Sequence, residues 1–477
     1  MRKTKILMVS SEVEPFAKTG GLGDVVGALP KALNLLDMNA RVIMPLYGSI
    51  DKIYKERMKF LGYIYIDLGW RHQYCGIFSL TYKRVIYYFV DNEYYFNRNK
   101  IYDDLDLEKF SFLSLAAFEV AKYVKFKPDI IHSHDWHTAA VPALLGDYYY
   151  KDSFFKNTKC VFTIHNLAYQ GVFAKEHVLD MLPLNKEKYS NTNIINMMGL
   201  GIQYAHKVTT VSETYSNEIL TDEYGENLQN LLRHESNKLS GILNGVDVKL
   251  YNSSKDKLID FKFKHEDYID GKLKNKVKML QDFGFDVEAS KNAPLITVIS
   301  RLASQKGMNL VLNVLERLLV EEDIRVILLG SGDKQLENDF KNLENRFNNK
   351  FKAILKFDNT LAHKLYASAD LFLMPSLFEP CGLAQMICLQ YGTLPIVRSC
   401  GGLKDSIVAF NEYTLEGNGF SFNNFNADDF YNTIKYALSI YNRKELWNCI
   451  IENGFKCDFS WTYSANKYKI MYENLKS

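Results

Sequence analysis

Lys18-Thr19-Gly20-Gly21-Leu22-Gly23-Asp24-Val25 joins a strand-like run to a helix-like one and sets a cation among glycines. Upstream, Ile6-Leu7-Met8-Val9-Ser10 is a short apolar run suited to a strand buried on both faces, and from Val25 to Leu36 apolar residues recur at helical spacing. Glycines at such a turn let the backbone approach a ligand closely, and the amides at the following helix start point at anything anionic. Lys18 would add a full positive charge to that partial one. The same residues also read as a plain glycine turn beside a solvated lysine, and both readings stand at this point.

Two known glycine motifs do not fit. A dinucleotide-binding turn needs a third glycine three places after Gly23, where this chain has Val26, and an acidic residue after the second strand. That strand, Arg41-Val42-Ile43-Met44, runs into Pro45 and Leu46 instead. A triphosphatase loop ends in Gly-Lys-Ser/Thr, which Gly23-Asp24-Val25 is not.

Of 477 residues, 47% are hydrophobic and 24% charged, which suits a globular protein of two or more domains. A net charge of +2 makes no case for nucleic acid or an anionic membrane, so an anion site has to come from a few local groups. The seven cysteines lack paired spacing, which suggests reduced thiols and neither a disulfide framework nor a cysteine zinc site. The basic N-terminus is followed by only a strand-length apolar run, unlike a signal peptide, and no stretch has the apolar length of a membrane span. The expectation is a cytoplasmic protein.

Strand-like and helix-like segments alternate from residue 5 to about 245, the pattern of α/β layering. Polar junctions follow the strands: Asp135-Trp136-His137, His165-Asn166 and Asn244-Gly245-Val246-Asp247. In open parallel sheets, ligands sit at these carboxyl ends. The tyrosine-rich piece from Ile64 to Tyr95 alternates as antiparallel strands do, with Gly62, Gly69 and Gly76 as breaks, and reads as an insertion or sheet edge. Residues 252 to 292 are rich in Lys and Asp and read as a solvated connector leading into an amphipathic helix. A second α/β series starts at Leu295 and ends in a helical stretch from about Tyr463. Two α/β domains, 1–245 and 246–477, facing a central cleft are expected, with the last helix packing back on the first.

In the second series, Ser300-Arg301-Leu302-Ala303-Ser304-Gln305-Lys306-Gly307 follows a strand and precedes a helix. Arg as a bidentate fork and Lys as a point charge on one loop can both reach a diphosphate. Next comes Ser376-Leu377-Phe378-Glu379-Pro380-Cys381-Gly382-Leu383, where Pro380 suits a first helical position. Glu379 then either stands at the mouth of an anion site built from the amides of Cys381, Gly382 and Leu383, or complements the helix dipole. His132 and His134, two apart on a strand, raise a metal site for which no third ligand is spaced. The aromatic excess, 31 Tyr and 30 Phe, offers faces for sugar stacking as well as core packing.

With these pieces assembled, the chain resembles the bacterial glycogen synthases and plant starch synthases. The match rests on Lys18 to Val25, His134-Asp135-Trp136-His137, Thr163-Ile164-His165-Asn166, Asn244-Gly245-Val246-Asp247, Ser300-Arg301-Leu302 with Gln305-Lys306-Gly307, Glu379-Pro380-Cys381-Gly382-Leu383, and Tyr391-Gly392-Thr393-Leu394-Pro395. The resemblance implies two Rossmann-like domains in the GT-B glycosyltransferase fold, and retaining glucosyl transfer from ADP-glucose to an α-1,4-glucan. It implies neither a metal nor another cofactor.

Carried over residue by residue, Lys18, Gly20 and Gly21 contact the donor's phosphate and sugar, and Asn244 and Thr393 lie at the donor. Arg301 and Lys306 neutralise the leaving diphosphate, and Glu379 holds glucose hydroxyls. The amides of Cys381 to Leu383 take the distal phosphate, and His165 with Asp135 lines the other face of the reacting sugar. The chain departs from the family pattern at Glu213, at Glu226-Asn227 and at Tyr251-Asn252-Ser253. A related enzyme using UDP-glucose, a non-catalytic glucan or nucleotide binder, and a pyridoxal-dependent phosphorylase-like enzyme are the alternatives. For the first of these, Tyr366 is a possible stacking partner for the base.

Overall fold

The first apolar run forms β1 (Lys5–Val9), with four of its five residues fully buried, as a strand covered on both faces requires. The helix after the glycine turn spans Gly21–Leu35 and starts ahead of the apolar periodicity. Its buried residues Leu22, Val25, Val26, Leu29 and Leu33 form one stripe at helical spacing. The computed structural model describes residues 2–98 and 100–476. It divides into two units, Met1–Asn244 with Trp461–Ser477, and Gly245–Ser460.

In the first unit, β1 is joined by β2 (Asn39–Pro45), β3 (Lys59–Leu68), β4 (Arg71–Tyr82), β5 (Val85–Asp91), β6 (Ile130–His134) and β7 (Lys159–Ile164). A small hairpin, β8 (Val172–Ala174) and β9 (Ile194–Asn196), stands apart, and β10 (Lys207–Thr210) and β11 (Leu239–Gly241) complete the set. The nine-stranded sheet has the order β11-β10-β7-β6-β1-β2-β5-β4-β3. It is parallel from β11 to β5, whereas β3 and β4 pair antiparallel at the edge, as the glycine breaks suggested.

The helix Trp461–Lys476 belongs to this unit. Ser464 Oγ donates to the carbonyl of Leu243 at 2.7 Å, and the Tyr472 hydroxyl lies 2.6 Å from His132 Nδ1.

The second unit holds β12 (Leu295–Ile299), β13 (Arg325–Leu329), β14 (Phe351–Ile354), β15 (Leu371–Met374), β16 (Leu394–Arg398) and β17 (Phe420–Phe422). They form an all-parallel sheet in the order β14-β13-β12-β15-β16-β17. Each unit therefore has a point where successive connections run to opposite sides of its first strand. These points lie between β1 and β6, and between β12 and β15, where open parallel sheets open a crevice at their carboxyl ends.

The amphipathic helix expected within 252–292 forms, but the stretch is less solvated than expected. Its helix, Tyr268–Asp282, turns Lys272 and Lys276 inward beside Met279 and Leu280, because both lysines fall on the buried stripe. Lys276 pairs with Asp370 at 2.6 Å, and Asp256 is held by His363 at 2.7 Å and by the Tyr391 hydroxyl at 2.6 Å. Buried charges persist when paired in this way. Among the described residues no helix is long and apolar enough to cross a membrane.

Candidate functional site

The loop leaving β1 is organised by a residue that sequence reasoning passed over, Glu12. Its carboxylate is 3% exposed and accepts from the Thr19 amide at 2.6 Å, the Thr19 hydroxyl at 2.6 Å, the Gly20 amide at 3.1 Å and the Tyr102 hydroxyl. Two amides of the glycine turn thus hold the chain's own carboxylate. The outer side of the turn is open, since a Cβ built on Gly20 or Gly21 meets nothing within 4 Å. Lys18 stands at the rim, half-exposed, with its ammonium 2.6 Å from Asp24.

The ends of β6 and β7 bring Asp135 and His165 together. Asp135 has φ 54° and ψ 178°, a region L-residues avoid at a cost of about 1–3 kcal/mol. The strain aims its buried carboxylate at the amide of His165, 2.7 Å away. Burial raises the carboxyl to about 7 against the lowering effect of the His165 and Asn166 amides, and the charge on Glu12 pushes the same way as burial.

His165 Nε2 lies 3.1 Å from His134 Nδ1, and burial holds His165 down to about 3, so its ring is neutral at physiological pH. His132 stacks under His134 with centroids 4.2 Å apart, its own nitrogens bonded to Tyr472 and Thr163 at 2.6 Å each. The pair considered for a metal is therefore a buried structural stack. No group of three His, Cys, Asp or Glu suited to a metal occurs among the described residues. Asn244 lies just past β11, buried, with its Oδ1 unpartnered.

In the second unit, Arg301 is exposed on the loop after β12 and Lys306 ends the short turn Ser304–Lys306. Gly307 at φ 70° makes this loop possible, because a Cβ there would stand 2.0 Å from the Pro375 carbonyl oxygen. The close approach puts Lys306 Nζ 2.6 Å from Glu379 Oε2, and Ser376 Oγ donates to the same oxygen at 3.2 Å.

Three expectations are corrected here. Pro380 is not a first helical position: the helix spans Ala384–Gln390 with Leu383 as its cap, and Gly382 sits before it at φ 72°. The amides of Cys381, Gly382 and Leu383 therefore belong to a turn, which Gln385 braces by donating to the carbonyls of Cys381 and Gly382 at 3.2 and 3.1 Å.

Thr393 leaves the candidate donor set. It precedes β16, at the amino edge of the sheet, opposite Arg301 and Glu379. Its hydroxyl is fully buried, donating to the carbonyls of Tyr366 and Ala369 and accepting from Lys272 at 2.8 Å. Tyr366 is likewise 6% exposed and packs against Phe372 and Tyr391, so it presents no face to a base.

Of the departures from the family pattern, Glu226 and Asn227 take φ of 48° and 65°, so side chains occupy left-handed backbone where glycine is unstrained.

At the carboxyl ends of the first sheet lie Lys18, the open side of the Gly20–Gly21 turn and the carboxylates of Glu12 and Asp135, and at those of the second lie Arg301, Lys306 and Glu379. Such groups can bind an anionic leaving group and orient hydroxyls, while the neutral His165 offers hydrogen bonds without charge.

Residues 5–234 match the starch synthase catalytic domain family, and residues 281–456 match the glycosyl transferases group 1 family. A protein named glycogen synthase from Clostridium botulinum is 46% identical over 99% of both chains. Another of that name from Bacillus licheniformis is 46% identical over 98% of this chain and 97% of its own. The catalytic domain of starch synthase IV from Arabidopsis thaliana, solved bound to ADP and acarbose, superposes with a TM-score of 0.91 at 32% identity, covering 99% of each chain. A sucrose-phosphate synthase from Thermosynechococcus elongatus, at 15% identity and a TM-score of 0.60 over 99% of each chain, shares the fold.

Proposed function

Because the chain belongs to the family of bacterial glycogen synthases and plant starch synthases, glycosyltransferases of the GT-B fold, we propose that it transfers glucose from ADP-glucose to the non-reducing end of an α-1,4-glucan, with retention and release of ADP. The observation that carries this reading is the gathering of Arg301, Lys306, Glu379 and the Cys381–Leu383 turn at the carboxyl ends of β12 and β15.

Cleavage of a sugar–phosphate bond develops positive charge at the anomeric carbon and negative charge on the diphosphate. Fixed cations and amides lower that barrier directly. Arg301 and Lys306 take the leaving diphosphate, the turn amides its distal phosphate, and Glu379 the glucose hydroxyls. The family pattern also assigns Lys18, Gly20, Gly21 and Asn244 to the donor, and His165 with Asp135 to the reacting sugar. This distribution calls for no metal or other cofactor, and the reaction belongs to the cytoplasm.

An ADP-release assay tests the reading with ADP-glucose, UDP-glucose and no acceptor, using glycogen as primer. The expected result is glycogen-dependent ADP release that exceeds UDP release and is unaffected by EDTA. Faster turnover of UDP-glucose, or release independent of glucan, overturns it.

A further inference from the structure

His134 has no part in holding the donor or the sugar, yet its Nδ1 lies 3.1 Å from the Nε2 of His165. It ends β6 and is fully buried. Its ring lies on that of His132 with centroids 4.2 Å apart, and His132 is itself tied at both nitrogens, to Tyr472 and to Thr163. On the backbone side, the His134 amide donates to Thr138 Oγ1 at 2.6 Å, and the Thr138 hydroxyl donates back to the His134 carbonyl at 2.9 Å. A ring packed and anchored in this way has little freedom to turn.

The other nitrogen of His134 decides which way the proton points. Nε2 is buried and has no hydrogen-bond partner among the described residues. Both rings are neutral at physiological pH. Burial holds His134 well below the ordinary histidine range, with His132 and His165 adding to the effect, and burial holds His165 at about 3.

A neutral imidazole carries one N–H. Were His165 to donate from Nε2, His134 would accept at Nδ1 and carry its proton on Nε2, an N–H buried with nothing to receive it. When His134 donates from Nδ1 instead, its Nε2 is a bare acceptor. Protein interiors tolerate an under-satisfied acceptor better than an orphaned N–H, which selects the second arrangement.

We propose that His134 is a positioning residue that fixes His165 as the Nδ1–H tautomer, so that His165 meets the reacting sugar with a hydrogen-bond donor. The inference rests on the place given to His165 in the preceding section and adds the residue that sets its polarity. With Nε2 occupied as an acceptor, the proton of His165 resides on Nδ1. That atom has no partner among the described residues, and the side chain is partly exposed, so the donor is available to a ligand. A sugar oxygen facing it is met as an acceptor and keeps its own proton for another partner.

The test labels the histidine rings with nitrogen-15 and records, on the ligand-free enzyme at neutral pH, the two-bond proton–nitrogen spectrum that separates Nδ1–H from Nε2–H rings. The chain has ten histidines, and the signals of His165 are those lost in His165→Gln. Wild type is expected to show His165 as Nδ1–H. His134→Leu, which fills the space without a donor, is expected to lose that pattern and to lower kcat with ADP-glucose about tenfold, the worth of one hydrogen bond, with the glycogen KM within about twofold. His134→Asn, whose amide donates from nearly the position of Nδ1, is expected to restore the Nδ1–H pattern and to bring kcat within about threefold of wild type.

A wild-type His165 in the Nε2–H form overturns the proposal, and so does an Nδ1–H pattern that persists in His134→Leu. A His134→Leu enzyme with wild-type kcat, or a His134→Asn enzyme as slow as it despite the Nδ1–H pattern, overturns the tie to turnover. If His134→Leu does not fold, His134→Phe, which keeps a ring on His132, is read by the same criteria. Absence of ADP-glucose turnover in the wild type counts against the proposed reaction alone, because the tautomer is read without ligand.

Discussion

Lys306 and Glu379 reach each other across the carboxyl ends of β12 and β15, Nζ to Oε2 at 2.6 Å. The two side chains are 19% and 9% exposed, so removing either leaves its partner poorly solvated. A residue assigned to the leaving diphosphate and one assigned to the sugar are thus a single electrostatic unit before any ligand arrives.

Lys306→Ala and Glu379→Gln are each expected to lower kcat with ADP-glucose by about 10²–10³-fold, and the double variant to lose little beyond the worse single. Steady-state kinetics of the four proteins check this. Losses that multiply in the double variant would make the two groups independent.

Glu12→Ala leaves two amides and two hydroxyls without their common acceptor. A loss of about 1–2 kcal/mol in urea unfolding is expected, because these donors are only partly shielded from water and lose four hydrogen bonds to one carboxylate, with Glu12→Gln losing less because one oxygen still accepts. The KM for ADP-glucose is expected to rise in both, since the open side of Gly20 and Gly21 depends on the shape of the turn. A Glu12→Ala protein as stable as wild type would contradict the anchoring role.

Lys272 is held by the Tyr391 carbonyl at 3.0 Å and by Thr393 Oγ1 at 2.8 Å. Burial lowers it from 10.5 to about 7, with nearby Asp370 opposing and Lys276 reinforcing the shift. Between those values the unfolded chain binds a proton that the folded chain does not, so stability rises with pH across the window. Lys272→Met removes this titration. Urea midpoints from pH 7 to 10 are expected to climb less in the variant than in wild type, and parallel curves would show that Lys272 titrates near its ordinary value.

Gly307→Ala meets both a left-handed φ of 70° and the Pro375 carbonyl oxygen at 2.0 Å. The loop must move, carrying Lys306 away from Glu379. Loss of about 2 kcal/mol or more is expected on unfolding, with a larger effect on kcat than on the glycogen KM. Wild-type kcat in this variant would show that the Lys306 position tolerates displacement.

The glycine turn, the strand-end histidines and the Arg301–Gly307 loop were legible in the sequence, because strands, turns and helix periodicity each leave a local pattern. Glu12 left none. Its partners are up to 90 residues distant, as with Tyr102, and the one available hint was a carboxylate within a small-residue stretch at a strand's carboxyl end. Thr393 was misplaced through its motif, although its position immediately before a strand already put it at the far edge. The stretch 252–292 was read as solvated because its Lys and Asp content weighed more than register: Lys272 and Lys276 sit on the same buried stripe as Met279 and Leu280.

The helix Trp461–Lys476 is the last part of the described chain to be synthesised, yet it belongs to the unit that begins the chain. On the ribosome, the first 244 residues therefore wait, with His132 lacking its Tyr472 partner and one side of the Gly21–Leu35 helix uncovered, while all of Gly245–Ser460 is made. The unit translated second can close before the unit translated first, which inverts the usual order of domain completion during synthesis.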